Sequence, residues 1–228
     1  MFAYGYTIAE KFNATLYMHV SDSVNTHTGI SKLIPHTIQH TQKRGTIISQ
    51  KGWMYEENGE FVWPEGTDVI FLDGYYQSSK FFKSDVKKVL NMGIPSKILL
   101  NIIALHIRRG DYINLANIHS NLTEEYYVQA LLKFPLNYVV YVFSDDPEWC
   151  KKQRWLNGDR FYFINADVED TIRTMSICKN HIIANSTLSW WGAYLSGADS
   201  KVVCPSNWFG QEVSYNTRDM YEHSWIQI

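Results

Sequence analysis

The second half of the chain alternates short apolar runs with longer amphipathic stretches. The apolar runs are rich in β-branched or aromatic residues, which is typical of buried strands. They predict strands at Ile102–Ile107, Tyr138–Phe143, Phe161–Ile164, His181–Ala184 and Lys201–Cys204. Between them, helical spacing and capping residues predict helices over residues 124–134, 167–180 and 186–198, and a short one from Pro147. This alternation predicts a parallel sheet with right-handed crossovers, a Rossmann-like domain.

The first half of the chain is less regular but has the same two kinds of element. Its patterns predict helices at Phe2–Phe12 and Asp85–Leu90 and strands at Thr15–Val20, Gly45–Ser49 and Val69–Leu72. The polar stretch Ser21–His40 predicts a loop with a little helix. The break at Gly93-Ile94-Pro95 is the best candidate linker. We therefore predict an α/β protein of two units with a cleft between them.

Composition and charge narrow the possible partners. The 228 residues are 45% hydrophobic and 19% charged, and their net charge of −2 gives no basic footprint for nucleic acid or an anionic membrane. Three distant cysteines predict neither a disulfide framework nor a clustered zinc site. No apolar run approaches the roughly 20 residues that span a bilayer, and the N-terminus lacks the order of a signal peptide. We expect a soluble, cytoplasmic protein without an integral membrane segment.

The string HIRRGDY, residues 106–112, directly follows a predicted strand. Its arginines, Arg108 and Arg109, therefore belong at the carboxyl end of that strand, where open α/β sheets bind ligands. An arginine pair at that position binds phosphate through bidentate, charge-assisted hydrogen bonds, while Gly110 supplies the turn. Asp111 is suited to orient an arginine or to accept a proton. The alternative is a solvated turn with an Arg–Asp ion pair.

Two further strings follow predicted strands. Asn185-Ser186-Thr187-Leu188-Ser189 joins a strand to a helix, so its hydroxyls and backbone N–H groups predict an anion site, or simply a helix cap. The string FSDDPEW contains Asp145 and Asp146, which are suited to bind a divalent metal, ribose hydroxyls or a guanine edge, or to cap the helix at Pro147. The sequence shows no second metal-like cluster, so we expect no metal.

These strings together resemble the α-1,2-fucosyltransferase family, glycosyltransferase family 11. The resemblance rests on HIRRGDY, FSDDPEW and EDTIRTMSICKNHIIANSTLSWWGAYL in that order, and on DVIFLDGYYQSSKFF near residues 68–82. The run from Cys178 to Leu195 is the most specific part. The N-terminal MFAYGYTIAEKFN resembles the segment after the family's opening Gly-Asn-Gln turn, which we expect to precede Met1.

The resemblance implies a GT-B arrangement of two Rossmann-like domains facing a cleft. The domain of residues 1–97 would help to place the acceptor, and that of residues 98–228 would bind GDP-fucose. The reaction would be metal-independent, inverting transfer of L-fucose to the 2-hydroxyl of a galactose in a glycan, with GDP-fucose as donor and no cofactor. Arg108 would be catalytic, with Asp111 as candidate base. The implied donor-binding residues are His106, Arg109, Asp145, Asp146, Asp170, Asn185, Ser186, Thr187 and Ser189.

Two alternatives stay open at this stage. One is a fucosyltransferase of another linkage, because an H-x-R-R-x-D string also occurs in α-1,6- and protein O-fucosyltransferases. The other is a non-catalytic protein that binds a nucleotide sugar or a glycan. Release of GDP in the presence of an acceptor separates the enzyme from the binder.

Overall fold

The computed structural model of the chain describes residues 1–18, 33, 39–40, 45–82, 86–90, 92 and 97–228. The chain forms two compact units. Unit 1 comprises Met1–Met92 with Tyr215–Glu222, and unit 2 comprises Gly93–Ser214 with His223–Ile228. The candidate linker at Gly93-Ile94-Pro95 and nearly all of the predicted loop at Ser21–His40 lie outside the described residues.

Unit 1 contains helices and short parallel strand pairs. Its helices are α1 (Phe2–Phe12), α2 (Tyr55–Asn58) and α3 (Val86–Val89), and its strands are β1 (Tyr17–Met18), β2 (Gln39–His40), β3 (Thr46–Ser49) and β4 (Ile70–Asp73). β1 pairs with β2 and β3 pairs with β4, both in parallel. The predicted helix at Phe2–Phe12 is confirmed, and β3 and β4 confirm the two predicted strands to within one residue. The apolar face of α1 is buried through Ala3, Tyr4 and Ile8.

Unit 2 is built on one parallel sheet of six strands. They are β5 (Leu99–Ile107), β6 (Val139–Ser144), β7 (Phe161–Phe163), β8 (Cys178–Ile182), β9 (Lys201–Cys204) and β10 (Ile226–Gln227). Their spatial order is β10-β9-β8-β5-β6-β7, and every neighbouring pair is parallel. The chain therefore winds outward from β5 to one edge and returns beside β5 to wind to the other edge. This is the doubly wound, Rossmann-like order that the alternating pattern predicted.

The helices of unit 2 follow the carboxyl ends of the strands. They are α4 (Glu124–Leu131), α5 (Pro147–Lys151), α6 (Val168–Ile177) and α7 (Thr187–Ser196), and a 3₁₀ turn covers Gly110–Leu115. The Asp167 side chain caps α6 by accepting a hydrogen bond from the Asp170 N–H. α6 and α7 pack closely at Gly192. A Cβ added there would lie 2.7 Å from Cβ of Met175, so the contact requires a glycine-sized residue.

The sheet is buried on both faces, which explains why most of its strands are rich in apolar residues. On one face, Ile103, Leu105 and Ile107 of β5 pack with a cluster that includes Tyr127 and Ala130 of α4. On the opposite face Ala104 packs with Phe143, Met175 and Cys178.

The boundary between α6 and β8 differs from the prediction. The sequence predicted a helix through residue 180 and a strand at His181–Ala184, whereas α6 ends at Ile177 and β8 begins at Cys178. Cys178 already has an extended backbone, with ψ of 146°. The Asn180 side chain donates a 2.6 Å hydrogen bond to the Leu100 carbonyl of β5, which helps to hold this segment in the sheet. Helical spacing alone does not reveal this cross-strand contact.

No helix in the described part of the chain is long and apolar enough to cross a bilayer.

Candidate active site

The loops that follow β5 and β8 lie at the point where the strand order of the sheet reverses. These two strands are neighbours, and β6 lies on the other side of β5. In open α/β sheets, ligands bind in the crevice outside the carboxyl ends of the strands at this position. The fold thus brings the three strings of polar residues to one edge of the sheet, as predicted from their positions after strands.

Arg108 lies between two carboxylates at this edge. Its Nη2 is 2.6 Å from Oδ1 of Asp111, and its Nη1 is 2.9 Å from Oδ2 of Asp145. The other oxygen of Asp145 accepts a 2.9 Å hydrogen bond from the Arg109 backbone N–H. The Arg–Asp pairing that the sequence offered as an alternative is therefore present. It holds the guanidinium group in one orientation, with about a third of the Arg108 side chain exposed (33%).

Gly110 allows this cluster to form. An added Cβ at Gly110 would lie 2.5 Å from Oδ2 of Asp145, which is far inside the contact distance of these atoms. The absence of a side chain at residue 110 therefore leaves room for the Asp145 carboxylate beside the loop after β5.

Arg109 points to a different set of partners. Its Nε is 3.2 Å from Oδ2 of Asp146, and its guanidinium carbon lies 3.7 Å from the centre of the Trp149 ring. The other oxygen of Asp146 accepts a hydrogen bond from the Trp149 N–H and so caps α5. Asp146 thus both caps the helix and positions Arg109. The Arg109 side chain is 25% exposed, somewhat less than that of Arg108.

Tyr112 connects the arginine loop to the loop after β8. Its hydroxyl donates a 3.1 Å hydrogen bond to the Asn185 carbonyl, and its ring lies 5.1 Å from the Arg108 guanidinium carbon. His119 stacks on the Tyr112 ring with centroids 4.0 Å apart. Burial lowers the pKa of His119, although the nearby Asp111 carboxylate opposes the shift.

The string of residues 185–189 forms the tight entry into α7. The Asn185 amide is buried and donates to the carbonyls of Ser120 and Trp208, so this side chain fixes the loop. The Ser189 hydroxyl is fully buried and donates to carbonyls within the same turn. Ser186 is buried at the N-cap position and Thr187 is exposed in the first turn. Contacts of these four residues with a nucleotide-sugar donor stay predictions.

Two further predicted donor residues differ in their surroundings. Asp170 is exposed in the first turn of α6, after β7, at the edge of the sheet. His106 is buried within β5, where desolvation and the Arg108 charge lower its pKa to about 3. It is therefore neutral near pH 7 and part of the scaffold beneath the arginines.

No group of three or more metal-ligating side chains occurs among the described residues. Metal independence stays a prediction, because it depends on the reaction.

Sequence reasoning missed the aromatic supports of the site, which are Tyr112, His119 and Trp149. Tyr112 and Trp149 lie inside the two strings, but no spacing rule links an aromatic ring to an arginine several residues away. His119 lies outside all three strings, and only the fold brings it against Tyr112.

Comparison with known proteins identifies the family. The model of Glycosyl transferase family 11 matches residues 74–228, which include the three strings that follow β5, β6 and β8. The chain belongs to glycosyl transferase family 11. The resemblance inferred from HIRRGDY and the residues around α7 is thereby confirmed.

The chain is also similar to curated proteins, among them three transferases. The chain is 35% identical over 178 residues to an alpha-1,2-colitosyltransferase of Escherichia coli, which covers 68% of this chain and 61% of that protein. It is 40% identical over 140 residues to the O-antigen biosynthesis glycosyltransferase WbnK of Escherichia coli, covering 56% and 45%. It is 30% identical over 169 residues to a galactoside 2-alpha-L-fucosyltransferase of Caenorhabditis elegans, covering 60% and 46%. The matches thus span about half the length of these relatives. No solved structure matches the chain.

Proposed function

We propose that this family 11 protein transfers L-fucose from GDP-fucose to the 2-hydroxyl of a galactose in a glycan, with inversion. Three facts support the proposal: the family, a relative named galactoside 2-alpha-L-fucosyltransferase, and the position of Arg108. The single observation that carries the mechanism is the Arg108 guanidinium group, oriented by two carboxylates at the carboxyl edge of the parallel sheet.

The reaction requires stabilisation of the departing diphosphate. As the bond between fucose and the β-phosphate breaks, the sugar becomes oxocarbenium-like and negative charge grows on the phosphate oxygens. A preorganised hydrogen-bond donor to these oxygens lowers the barrier, because it needs no reorientation during the reaction. Arg108 meets this requirement, since its orientation is already fixed by Asp111 and Asp145.

GDP-fucose has to compete with these carboxylates for Arg108. Two guanidinium groups and three carboxylates leave one net negative charge in the cluster formed by Arg108, Arg109, Asp111, Asp145 and Asp146. Arg108 has five N–H donors, of which one donates to Asp111 while Nη1 is ion-paired with Asp145, so further donors remain for phosphate oxygens. Asp111 is the most exposed of the carboxylates, at 57%, and is the group that the diphosphate most easily displaces.

The proposal assigns roles to the other predicted site residues according to their positions. The first turn of α7, with Ser186 and Thr187, would direct backbone N–H groups at the pyrophosphate. Asp170 would contact the guanine and Asp145 or Asp146 the nucleotide, while Asp111, once displaced from Arg108, would serve as general base for the acceptor hydroxyl. The proposal includes a GT-B arrangement, an acceptor role for the N-terminal domain, a cytoplasmic location and independence from metal.

The decisive experiment incubates the protein with GDP-fucose and a panel of galactosides, and identifies the products by mass and by linkage analysis. We expect an α-1,2-fucosylated galactoside and one GDP released per transfer. GDP should also raise the melting temperature. At 100 times its dissociation constant, the bound nucleotide should stabilise the folded protein by up to about 2.7 kcal/mol. Equal stabilisation by UDP would contradict the guanine assignment. Binding of GDP-fucose without release of GDP would instead identify a non-catalytic binder.

A second donor is favoured by one specific observation. The 35% identical relative is named an alpha-1,2-colitosyltransferase. Colitose is L-fucose without the 3-hydroxyl, so the leaving group and the role of Arg108 would be the same. Parallel assays with GDP-fucose and GDP-colitose compare kcat/KM for the two donors. A preference of tenfold or more, about 1.4 kcal/mol, identifies the donor.

A further inference from the structure

Unit 1 has a cluster of partly exposed aromatic rings formed by Trp53, Tyr75 and Tyr215, here termed the aromatic platform. The rings of Trp53 and Tyr75 are stacked, with centroids 5.2 Å apart and planes 26° apart. Tyr215 lies 6.1 Å from Trp53. Tyr75 is 62% exposed and Tyr215 is 53% exposed. None of the three was singled out from the sequence, and none belongs to the cluster around Arg108.

An unusual backbone turns Tyr75 outward. Gly74 has φ of 143°, and the next residue but one, Tyr76, has φ of 48°. A positive φ is uncommon for a bulky side chain and costs free energy that the surrounding structure has to offset. Tyr76 is buried and its hydroxyl donates to the Ile48 carbonyl, so it anchors the turn. The neighbouring ring, Tyr75, is thereby presented to solvent.

Gln50 fixes the turn from the other side. Its Oε1 accepts hydrogen bonds of 2.7 Å from the backbone N–H groups of both Tyr75 and Tyr76. Its Nε2 donates to the Gly52 carbonyl, directly before Trp53. One amide side chain therefore links the two loops that carry the stacked rings. The platform is preorganised, and a ligand that binds it does not have to order these loops first.

The platform lies beside polar groups at the end of a parallel strand pair. β3 and β4 end in register at Ser49 and Asp73, and the Ser49 hydroxyl donates a 3.1 Å hydrogen bond to Oδ2 of Asp73. The loops that begin after these two residues carry Trp53 and Tyr75. Exposed rings next to a carboxylate and a hydroxyl suit a ligand with an apolar face and a rim of hydroxyl groups.

We propose that the aromatic platform binds a pyranose ring of the acceptor glycan. Galactose has this chemistry, because one face of its ring presents C–H groups that pack on an aromatic ring, while its hydroxyls can donate to a carboxylate such as Asp73. Aromatic side chains give large contact area at low entropic cost. This inference rests on the proposed function and deepens it by assigning residues that bind the acceptor.

The test compares acceptor kinetics of three variants. Tyr75→Ala removes the exposed ring, Tyr75→Phe keeps the ring without its hydroxyl, and Tyr162→Ala removes a comparably exposed tyrosine (52%) from β7 as a matched control. We expect Tyr75→Ala to raise KM for the galactoside at least fivefold and to leave KM for GDP-fucose within twofold. Tyr75→Phe and Tyr162→Ala should stay near the parent.

A second measurement separates failure of this inference from failure of the proposed function. Saturation-transfer NMR with lactose reports sugar binding whether or not transfer occurs. Signal from the galactose ring C–H groups that Tyr75→Ala removes and Tyr162→Ala retains supports the platform, even if no donor is turned over. An unchanged acceptor KM and an unchanged lactose signal in a folded Tyr75→Ala protein would overturn it. A rise in KM for the donor equal to that for the acceptor would also overturn it.

Discussion

Replacing Gly110 by alanine perturbs the arginine cluster through a single methyl group. The added Cβ would lie 2.5 Å from Oδ2 of Asp145, so the carboxylate has to withdraw by about 1 Å. The φ of Gly110 lies outside the range that strains an L-residue, so the substitution acts through this contact and not through the backbone.

The expected magnitude follows from the bonds that Asp145 makes. A withdrawal of about 1 Å breaks the ion pair of Asp145 with Nη1 of Arg108 and its hydrogen bond from the Arg109 backbone N–H, which are both 2.9 Å long. These side chains are partly exposed, so each bond contributes about 1 kcal/mol. We expect a stability loss of about 1–2 kcal/mol. Displacement of a positioned charge by about 1 Å lowers the transfer rate by up to about a hundredfold.

A double-mutant cycle isolates the mechanism. Gly110→Ala is made in the parent, in Asp145→Ala, where the methyl group has room, and in Asp145→Asn, where the clash persists. Transfer rates and urea midpoints are measured for all six proteins. The cost of Gly110→Ala should fall to within about 0.5 kcal/mol of zero in the Asp145→Ala background and persist in the Asp145→Asn background.

Two results refute this reasoning. One is a Gly110→Ala protein with parental rate and stability. The other is the same cost in the parent and in Asp145→Ala, which would locate the effect in the loop backbone and not in the carboxylate that orients Arg108.

Three further predictions test the site and its scaffold. Arg108→Lys keeps the charge but loses the planar fork, so we expect turnover to fall by on the order of 10²–10³ with less change in KM, and Arg109→Lys to lose less turnover. Near-normal turnover of a folded Arg108→Lys protein would contradict the proposed role of Arg108 in stabilising the departing diphosphate. Excess EDTA should leave turnover unchanged, and a loss that Mn²⁺ or Mg²⁺ restores would give Asp145 and Asp146 a metal role. Burial lowers the pKa of His106 to about 3 and of His181 to about 4, from an ordinary 6.5. Below a pH of about 6.5, both side chains therefore gain a proton when the protein unfolds. Stability measured by urea unfolding should therefore fall by about 2 kcal/mol per histidine between about pH 7 and about pH 5, and a folded His181→Gln variant that keeps the full slope would contradict this.

The sequence by itself determined the class of fold and the family. Alternating apolar runs and amphipathic stretches are a local signal, since burial on both faces of a parallel sheet requires continuous apolar strands. The runs at Ile102–Ile107 and Tyr138–Phe143 were placed in this way to within a few residues. Because the carboxyl ends of parallel strands share one edge, sequence position alone also predicted that the strings containing Arg108 and Asn185 would lie at that edge.

Only the tertiary structure decided what the charged groups contact. The sequence left Asp145 and Asp146 with several roles, and the fold assigns the first to Arg108 and the second to α5 and Arg109. The cap on α5 is local, and the sequence offered it as one of these roles. The contacts with the arginines join residues that are more than 30 positions apart, so no local pattern records them. The same is true of the aromatic platform, whose rings are brought together from three loops. Side-chain contacts across a sheet edge depend on strand order and on turn geometry, and both are set by packing of the whole unit.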